Sequence, residues 1–80
     1  MNTGPNDAER ALKKLGWKPE PGDFVWHKVV PELGPLRWER ALATTPRHFD
    51  SWSKQTTIRI TKKGKDLTVY LEDLAPRIVL

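Results

Sequence analysis

The sequence predicts one small α+β domain in which a helix, a strand, two further helices and a closing β-hairpin follow one another. Three observations support this fold class: a capped amphipathic segment near the N-terminus, a proline-led helix start in the middle and an alternating apolar pattern near the C-terminus. The 80 residues suffice for one domain, and chains this short bury only about 60% of the surface that they expose when unfolded. Because the chain has no cysteine, its four tryptophans and other aromatic residues are expected to supply much of the core.

The first helix follows residues 1–5, which are expected to form a flexible tail ahead of a single domain at residues 6–80. Asn6 is a favourable N-cap, and Glu9 three residues later completes a capping-box pattern. Gly16 supplies the left-handed stop. The apolar residues between these signals keep helical spacing and form one stripe, made of Ala8, Ala11, Leu12 and Leu15.

The middle of the chain contains a strand and then a segment that fits two structures. Residues 24–30 are rich in β-branched and aromatic side chains, which predicts a strand that Pro31 ends. In residues 36–44 the residue types and the helical spacing of the apolar side chains favour a helix. An alternation of period two is also present but is interrupted at Arg40. We expect a helix; a strand instead would turn the protein into a helix on an antiparallel sheet.

A second helix of this pair is expected to begin after Thr45, which can cap it, with Pro46 at its first helical position. The two short helices would meet near residues 43–45. They would pack against each other through four apolar side chains, namely Trp38, Leu42, Phe49 and Trp52. This contact decides whether the two helices form one motif.

The C-terminal part predicts a β-hairpin within residues 56–71, because apolar and polar residues alternate on both strands. One face stays apolar only if two pairs lie opposite each other, Ile58 with Val69 and Ile60 with Leu67. A loop of two residues or of four satisfies this register, whereas a loop of three would place isoleucines opposite threonines. The tip of the hairpin carries three cations, Lys62, Lys63 and Lys65.

The net charge of +4 is unevenly distributed along the chain. Residues 41–65 hold six basic residues and one acidic residue, a charge of +5, so the remainder carries −1. A basic segment on a near-neutral body indicates a polyanionic partner such as nucleic acid. Lysines at a hairpin tip also keep a sheet edge soluble, and this second explanation stays open.

The predicted element order resembles that of a winged helix-turn-helix domain, in which a strand lies between the first two helices and the final hairpin forms the wing. Residues Thr44-Thr45-Pro46-Arg47-His48-Phe49 also resemble the start of the recognition helix of AraC-type transcription regulators. The resemblance implies a winged-helix fold and a regulator of transcription that reads double-stranded DNA, with Arg47 and His48 near the major groove. Such domains often bind as dimers, which adds a homodimer to the expectations.

The exposed side of the second helix and the basic hairpin supply the candidate binding residues. Base contacts are expected from Arg47, His48 and Ser51. Phosphate contacts, which add affinity without sequence information, are expected from Thr45, Lys54, Gln55, Arg59, Lys62, Lys63 and Lys65. The function expected from these residues is that of a small non-enzymatic DNA-binding regulator or accessory factor, without a cofactor or a metal.

Protein docking is the competing function. A small tryptophan-rich domain with a basic hairpin could bind an acidic surface of another protein as an interaction or inhibitor module. Catalysis is less favoured, because His27 has no serine, cysteine or paired carboxylate near it in sequence. No apolar run approaches the roughly 20 residues of a membrane helix, so we expect a cytoplasmic location without membrane contact.

Overall fold

The computed structural model describes residues 4–80, which form one curled antiparallel sheet and one α-helix. The helix α1 spans Asp7–Lys14. The strands are β1 (Phe24–Val29), β2 (Arg37–Ala43), β3 (His48–Asp50), β4 (Gln55–Lys62), β5 (Lys65–Tyr70) and β6 (Leu74–Pro76), with a 3₁₀ helix at Leu71–Asp73. Neighbouring strands follow the order β3-β4-β2-β1-β6, and β5 pairs with β4.

The predicted winged-helix order is wrong, because residues 37–43 form a strand in the middle of the sheet. β2 pairs with β1 through six residue pairs and with β4 through two. Its backbone groups therefore find partners on both sides, and this pairing outweighs the helix preference of the side chains. The alternative of a strand in this segment is confirmed.

The two faces of β2 explain why its alternation looked interrupted. Ala41 and Ala43 lie on the inner face and are 4% and 1% exposed. Arg40 lies on the outer face, where its guanidinium carbon is 6.0 Å from the centre of the Trp26 ring. The strand is regular, but its inner face carries small alanines and its outer face an arginine, so its apolar periodicity is weak.

The second predicted helix is also wrong, because residues 48–50 form β3, which pairs with the start of β4. A turn follows in which Asp50 Oδ1 accepts the backbone N–H of Trp52 at 3.0 Å and Asp50 Oδ2 accepts the Ser53 hydroxyl at 3.0 Å. Such side-chain bonds to the local backbone compete with helix formation. Phe49 and Trp52 are 60% and 95% exposed, so the expected packing between two helices does not form.

The hairpin is confirmed in its register. The pairs are Ile58 with Val69, Ile60 with Leu67 and, next to the turn, Lys62 with Lys65. The loop is therefore the two-residue one, Lys63-Gly64. Both turn residues have a positive φ, 52° at Lys63 and 77° at Gly64, as a type I′ turn requires.

The core lies inside the curled sheet and consists of aliphatic side chains. Its buried cluster contains Val25, Ala41, Ala43, Ile58, Ile60 and Leu74. Trp26, on the outer face, is the one buried aromatic residue of the described chain, at 7% exposure. The expectation that aromatic side chains supply much of the core is therefore wrong, because the inner positions of the strands hold small and branched residues.

Local contacts organise the start of α1, and strand pairing organises the chain beyond β5. The capping box is confirmed: Asn6 Oδ1 accepts the N–H of Glu9 at 2.8 Å, and Glu9 Oε1 accepts the N–H of Asn6 at 2.8 Å. Residues 72–76 complete the 3₁₀ helix and form β6, which pairs with β1. Of the expected tail, residues 1–3 lie outside the described residues, and Pro5 is buried.

Replacing Gly64 with alanine is expected to lower the free energy of unfolding by about 1 kcal/mol, since a side chain is strained at a positive φ. Space is not the cause, because a Cβ at Gly64 would meet no atom within 4 Å. Urea unfolding measures the change. The control Lys63→Asn places a residue that tolerates positive φ and should be neutral or stabilising by a few tenths of a kcal/mol. Equal losses in both variants would argue against this turn type.

Candidate functional site

The structure distributes the residues expected to bind DNA over several parts of the surface. Thr45, His48 and Arg59 line one shallow groove of about 260 Å³, together with Thr57 and Thr68. The Thr45 hydroxyl accepts the backbone N–H of Arg59 at 3.1 Å, which fixes one wall of this groove. The fold thus brings these three residues together on a sheet surface, although a helix was expected to carry His48.

The Arg47 side chain lies outside this groove and binds the loop between α1 and β1. Its Nη1 donates to the carbonyl oxygen of Pro19 at 2.9 Å, in the loop between α1 and β1. Ser51 is exposed in the turn after β3, and Lys54 and Gln55 line a separate depression of about 420 Å³ beside the 3₁₀ helix. With no second α-helix in residues 4–80, no helical face presents these side chains to a major groove.

The cations of the hairpin tip are partly neutralised by Glu39 of β2. Lys62 Nζ lies 2.7 Å from Glu39 Oε1, and Lys63 Nζ lies 3.5 Å from Glu39 Oε2. The Lys62 side chain is only 12% exposed, whereas that of Lys63 is 77% exposed. Glu39, which lies outside the basic segment 41–65, thus reduces the charge of the hairpin tip. The sequence did not indicate this contact, because residues 36–44 were expected to form a helix.

Lys62 connects Glu39 to His27. The hydrogen bond from Lys62, followed by that from Arg37, lowers the pKa of Glu39 from 4.5 to about 2. Lys62 Nζ also lies 2.9 Å from His27 Nδ1, which must accept because an ammonium group only donates. Burial, followed by the charge of Lys62, lowers the pKa of His27. Within residues 4–80, no group of three or more histidine or acidic side chains is arranged to hold a metal ion.

Polar residues hold α1 to the sheet. Glu9 is 3% exposed, and its Oε1 accepts the N–H of Asn6 at 2.8 Å and the indole N–H of Trp26 at 3.2 Å. Its Oε2 accepts the backbone N–H of Ile78 at 2.7 Å. One turn later, Lys13 donates to a backbone carbonyl oxygen of the 3₁₀ helix at 2.9 Å. Glu9 and Lys13, four residues apart on one side of α1, therefore face the body of the protein.

The apolar stripe of α1 consequently lies toward solvent. Leu15 is 84% exposed and Leu12 is 39% exposed. Ala8 and Ala11 are exposed as well. The spacing of these residues identified the stripe, but an apolar stripe ordinarily faces the core, so its outward direction was not foreseen.

A shallow groove of about 280 Å³ lies beside the stripe, between α1 and the strands β1 and β6. Its apolar walls are formed by Leu12, Trp17, Phe24 and Ile78, among others. Phe24 and Ile78 are 47% and 45% exposed. We call the stripe and this groove the α1 surface; its members are Ala8, Ala11, Leu12, Leu15, Trp17, Phe24 and Ile78.

Exposed cations border the α1 surface. Lys14 precedes Leu15 and Lys18 follows Trp17 in the chain; both lysines are exposed, and neither forms an ion pair within residues 4–80. Arg77 lines the groove together with Asp23. An apolar surface with a basic border is complementary to an apolar segment that carries acidic side chains.

No family model matches the chain, and searches among curated proteins and solved structures found no match. The resemblance of residues 44–49 to AraC-type regulators gains no support from these comparisons. In the part of the chain that the structure describes, no helix has the length and apolar character needed to cross a bilayer.

Replacing Glu9 with glutamine is expected to lower the free energy of unfolding by about 2–3 kcal/mol, because the amide keeps one acceptor oxygen and turns an N–H group toward other donors. Urea unfolding measures the change. The matched control is Glu20→Gln, which alters an exposed glutamate whose carboxylate has no hydrogen-bond partner within residues 4–80 and should change stability little. Equal stabilities of the two variants would contradict the anchoring role of Glu9.

Replacing Lys62 with methionine is expected to raise the pKa of Glu39 from about 2 toward 4.5, because Lys62 makes the largest contribution to its depression. A ¹³C titration of the Glu39 carboxyl group measures this. The control Lys65→Met removes an exposed lysine of the same tip and should leave the Glu39 pKa unchanged.

The ion pair of Glu39 and Lys62 also predicts how the stability of the protein changes with acid. Since the folded-state pKa of Glu39 lies below its ordinary value, the ionised carboxylate contributes stability above pH 4.5, and that contribution is lost as the pH falls toward about 2. Lys62→Met should flatten this loss. If wild type and variant lost stability in parallel over this range, the pair would not be its source.

Proposed function

We propose that the protein is a non-enzymatic interaction module that binds another protein through the α1 surface. The observation that supports the proposal is the direction of the apolar stripe: Ala8, Ala11 and Leu12 are exposed on a helix whose buried side is polar, and Leu15, the C-cap residue of that helix, is 84% exposed. A helix of this kind normally buries its apolar stripe, so the stripe is left without a partner among the described residues. Exposed apolar patches bordered by polar residues are typical of protein–protein interaction sites.

The anchoring of α1 makes this exposure a fixed property of the fold. Rotating the helix to bury Leu15 would take Glu9 away from the N–H groups of Trp26 and Ile78. Each donor or acceptor left buried without a partner costs about 1–3 kcal/mol. The α1 surface is therefore preorganised, which lowers the entropy cost of binding.

The chemistry of the surface indicates the class of partner. The groove beside Leu12 accepts apolar side chains, and Lys14 and Lys18 attract acidic ones. A segment of another protein that places apolar anchors between aspartates and glutamates satisfies both conditions. This class of partner agrees with the acidic protein surface that the sequence left open as an alternative to DNA.

DNA binding has less support from the geometry. The recognition helix that would carry Arg47 and His48 is not formed, and Glu39 offsets part of the lysine charge at the hairpin tip. The groove that contains His48 and Arg59 still offers polar groups to a phosphate. Duplex DNA is accordingly the competing ligand in the test.

Selection of a random peptide library against the full chain is expected to enrich peptides that combine apolar anchors with aspartate or glutamate. Amide chemical-shift changes of the ¹⁵N-labelled protein should map the selected peptides to Leu12, Leu15 and Phe24. Leu15→Asp should weaken their binding at least tenfold, about 1.4 kcal/mol, because it places a negative charge where an acidic peptide makes apolar contact.

The matched control is Trp52→Ser, which removes a more exposed apolar side chain, 95% against 84% for Leu15, in the turn after β3. It should leave peptide affinity unchanged. Equal weakening by both variants, or peptides that shift Phe49 and Trp52 instead, would contradict the proposal. Duplex DNA that shifts His48 and Arg59 at low salt with higher affinity than any peptide would favour the nucleic-acid function.

A further inference from the structure

Two guanidinium groups lie on the same indole ring on the outer face of the sheet. The Cζ atom of Arg77 is 5.8 Å and that of Arg40 is 6.0 Å from the centre of the Trp26 ring. Arg77 Cζ is also 4.9 Å from the centre of the Phe24 ring. The negative face of the Trp26 ring attracts both cations and so holds two like charges near each other.

This pair of arginines has little counter-charge. Glu9 is the acidic side chain that acts on Arg77, but its two oxygens accept three N–H groups elsewhere. Burial, followed by the charge of Arg40, lowers the pKa of Arg77. The Nε atom of Arg77 is buried and has no hydrogen-bond partner within residues 4–80. A buried donor without a partner is rare and calls for an explanation.

Both arginines open onto one cavity of about 440 Å³, which Glu9, Trp26 and the C-terminal residues 78–80 also line. A guanidinium presents its N–H groups in a planar fork that fits two oxygens of a carboxylate or phosphate group. We propose that Arg40 and Arg77 bind an oxyanion, either a carboxylate or a phosphate group, in this cavity. The bound anion offsets the repulsion between the two arginines and accepts hydrogen bonds from Arg40 and from the terminal N–H groups of Arg77, since the Nε atom of Arg77 is buried.

The oxyanion site adjoins the α1 surface. Arg77 and Ile78 line both the cavity and the apolar groove beside Leu12. One partner segment can therefore place an apolar side chain in the groove and its negatively charged neighbour between the arginines. In this respect the inference rests on the proposed docking function, and it names the group that the partner contributes.

Titration of the ¹⁵N-labelled full chain with inorganic phosphate and, separately, with acetate tests the site. The ionic strength is held constant with sodium chloride, so that general screening does not contribute. We expect saturable shifts of the Trp26 indole N–H and the Arg40 Nε–H, with half-saturation below about 10 mM for at least one anion. Tighter binding of phosphate indicates a phosphorylated partner, and tighter binding of acetate indicates an aspartate or glutamate.

Arg40→Gln is expected to weaken anion binding at least fivefold. The matched control is Arg59→Gln, because Arg59 is likewise an exposed strand arginine on the outer face of the sheet and does not line the cavity. Shifts that rise linearly in the wild type, or equal affinities of wild type and Arg40→Gln, would overturn the site.

Failure of the site and failure of the docking function are distinguishable. Leu15→Asp removes an apolar contact of the α1 surface but should leave phosphate and acetate binding unchanged. Arg40→Gln should weaken the binding of acidic peptides. The same peptides with amidated acidic side chains should bind the wild type and the variant with equal affinity. Anion binding without any peptide binding would overturn only the docking function, and peptide binding without saturable anion binding would overturn only the oxyanion site.

Discussion

The buried carboxylate of Glu9 connects three separate parts of the chain. It accepts N–H groups from Asn6 at the start of the helix, from Trp26 in β1 and from Ile78 beyond β6. Burial of a charge costs several kcal/mol unless hydrogen bonds compensate for the lost water, and these three donors provide that compensation. Because Glu9 must face the sheet, the side of α1 that carries Leu15 must face solvent. The α1 surface is thus a consequence of a polar contact on the other side of the helix.

The distribution of apolar side chains agrees with a protein that completes its packing with a partner. The buried cluster inside the sheet is small, and two of its six members are alanines. Larger apolar side chains lie outside it, with Leu15, Phe49 and Trp52 at 84%, 60% and 95% exposure. Full burial of such a side chain is worth about 1.5–3 kcal/mol, which is considerable for a domain of this size. The stripe on α1 differs from the isolated aromatics near β3 because a groove and a basic border accompany it.

Charges that are adjacent in the sequence are separated or compensated in the fold. Lys62 and Lys63 share Glu39, which β2 brings across the sheet, so a run of lysines does not form an equally basic surface. Arg40 and Arg77 are far apart in the chain, yet the Trp26 ring holds both. The fold thus brings together two cations that no run in the sequence singled out.

Features that depend on neighbours within a few residues were determined by the sequence alone. The capping box at Asn6 and Glu9 follows from a spacing of three residues, and the register of the hairpin follows from the alternation on its two strands. The same locality identified the members of the stripe on α1. It also favoured a helix for residues 36–44, and there the local preference was overruled because β1 and β4 supply hydrogen-bond partners on both sides of β2.

The tertiary structure alone decided which way the stripe faces and which cations remain available. The orientation of α1 depends on donors 17 and 69 residues from Glu9, and no pattern within the helix contains that information. The compensation of Lys62 depends on Glu39, 23 positions earlier in the chain. Composition and spacing therefore determined which side chains each element carries. Long-range hydrogen bonds and strand pairing determined which of these side chains contact a partner and which are exposed to water. The reason is that these contacts form only when the sheet closes.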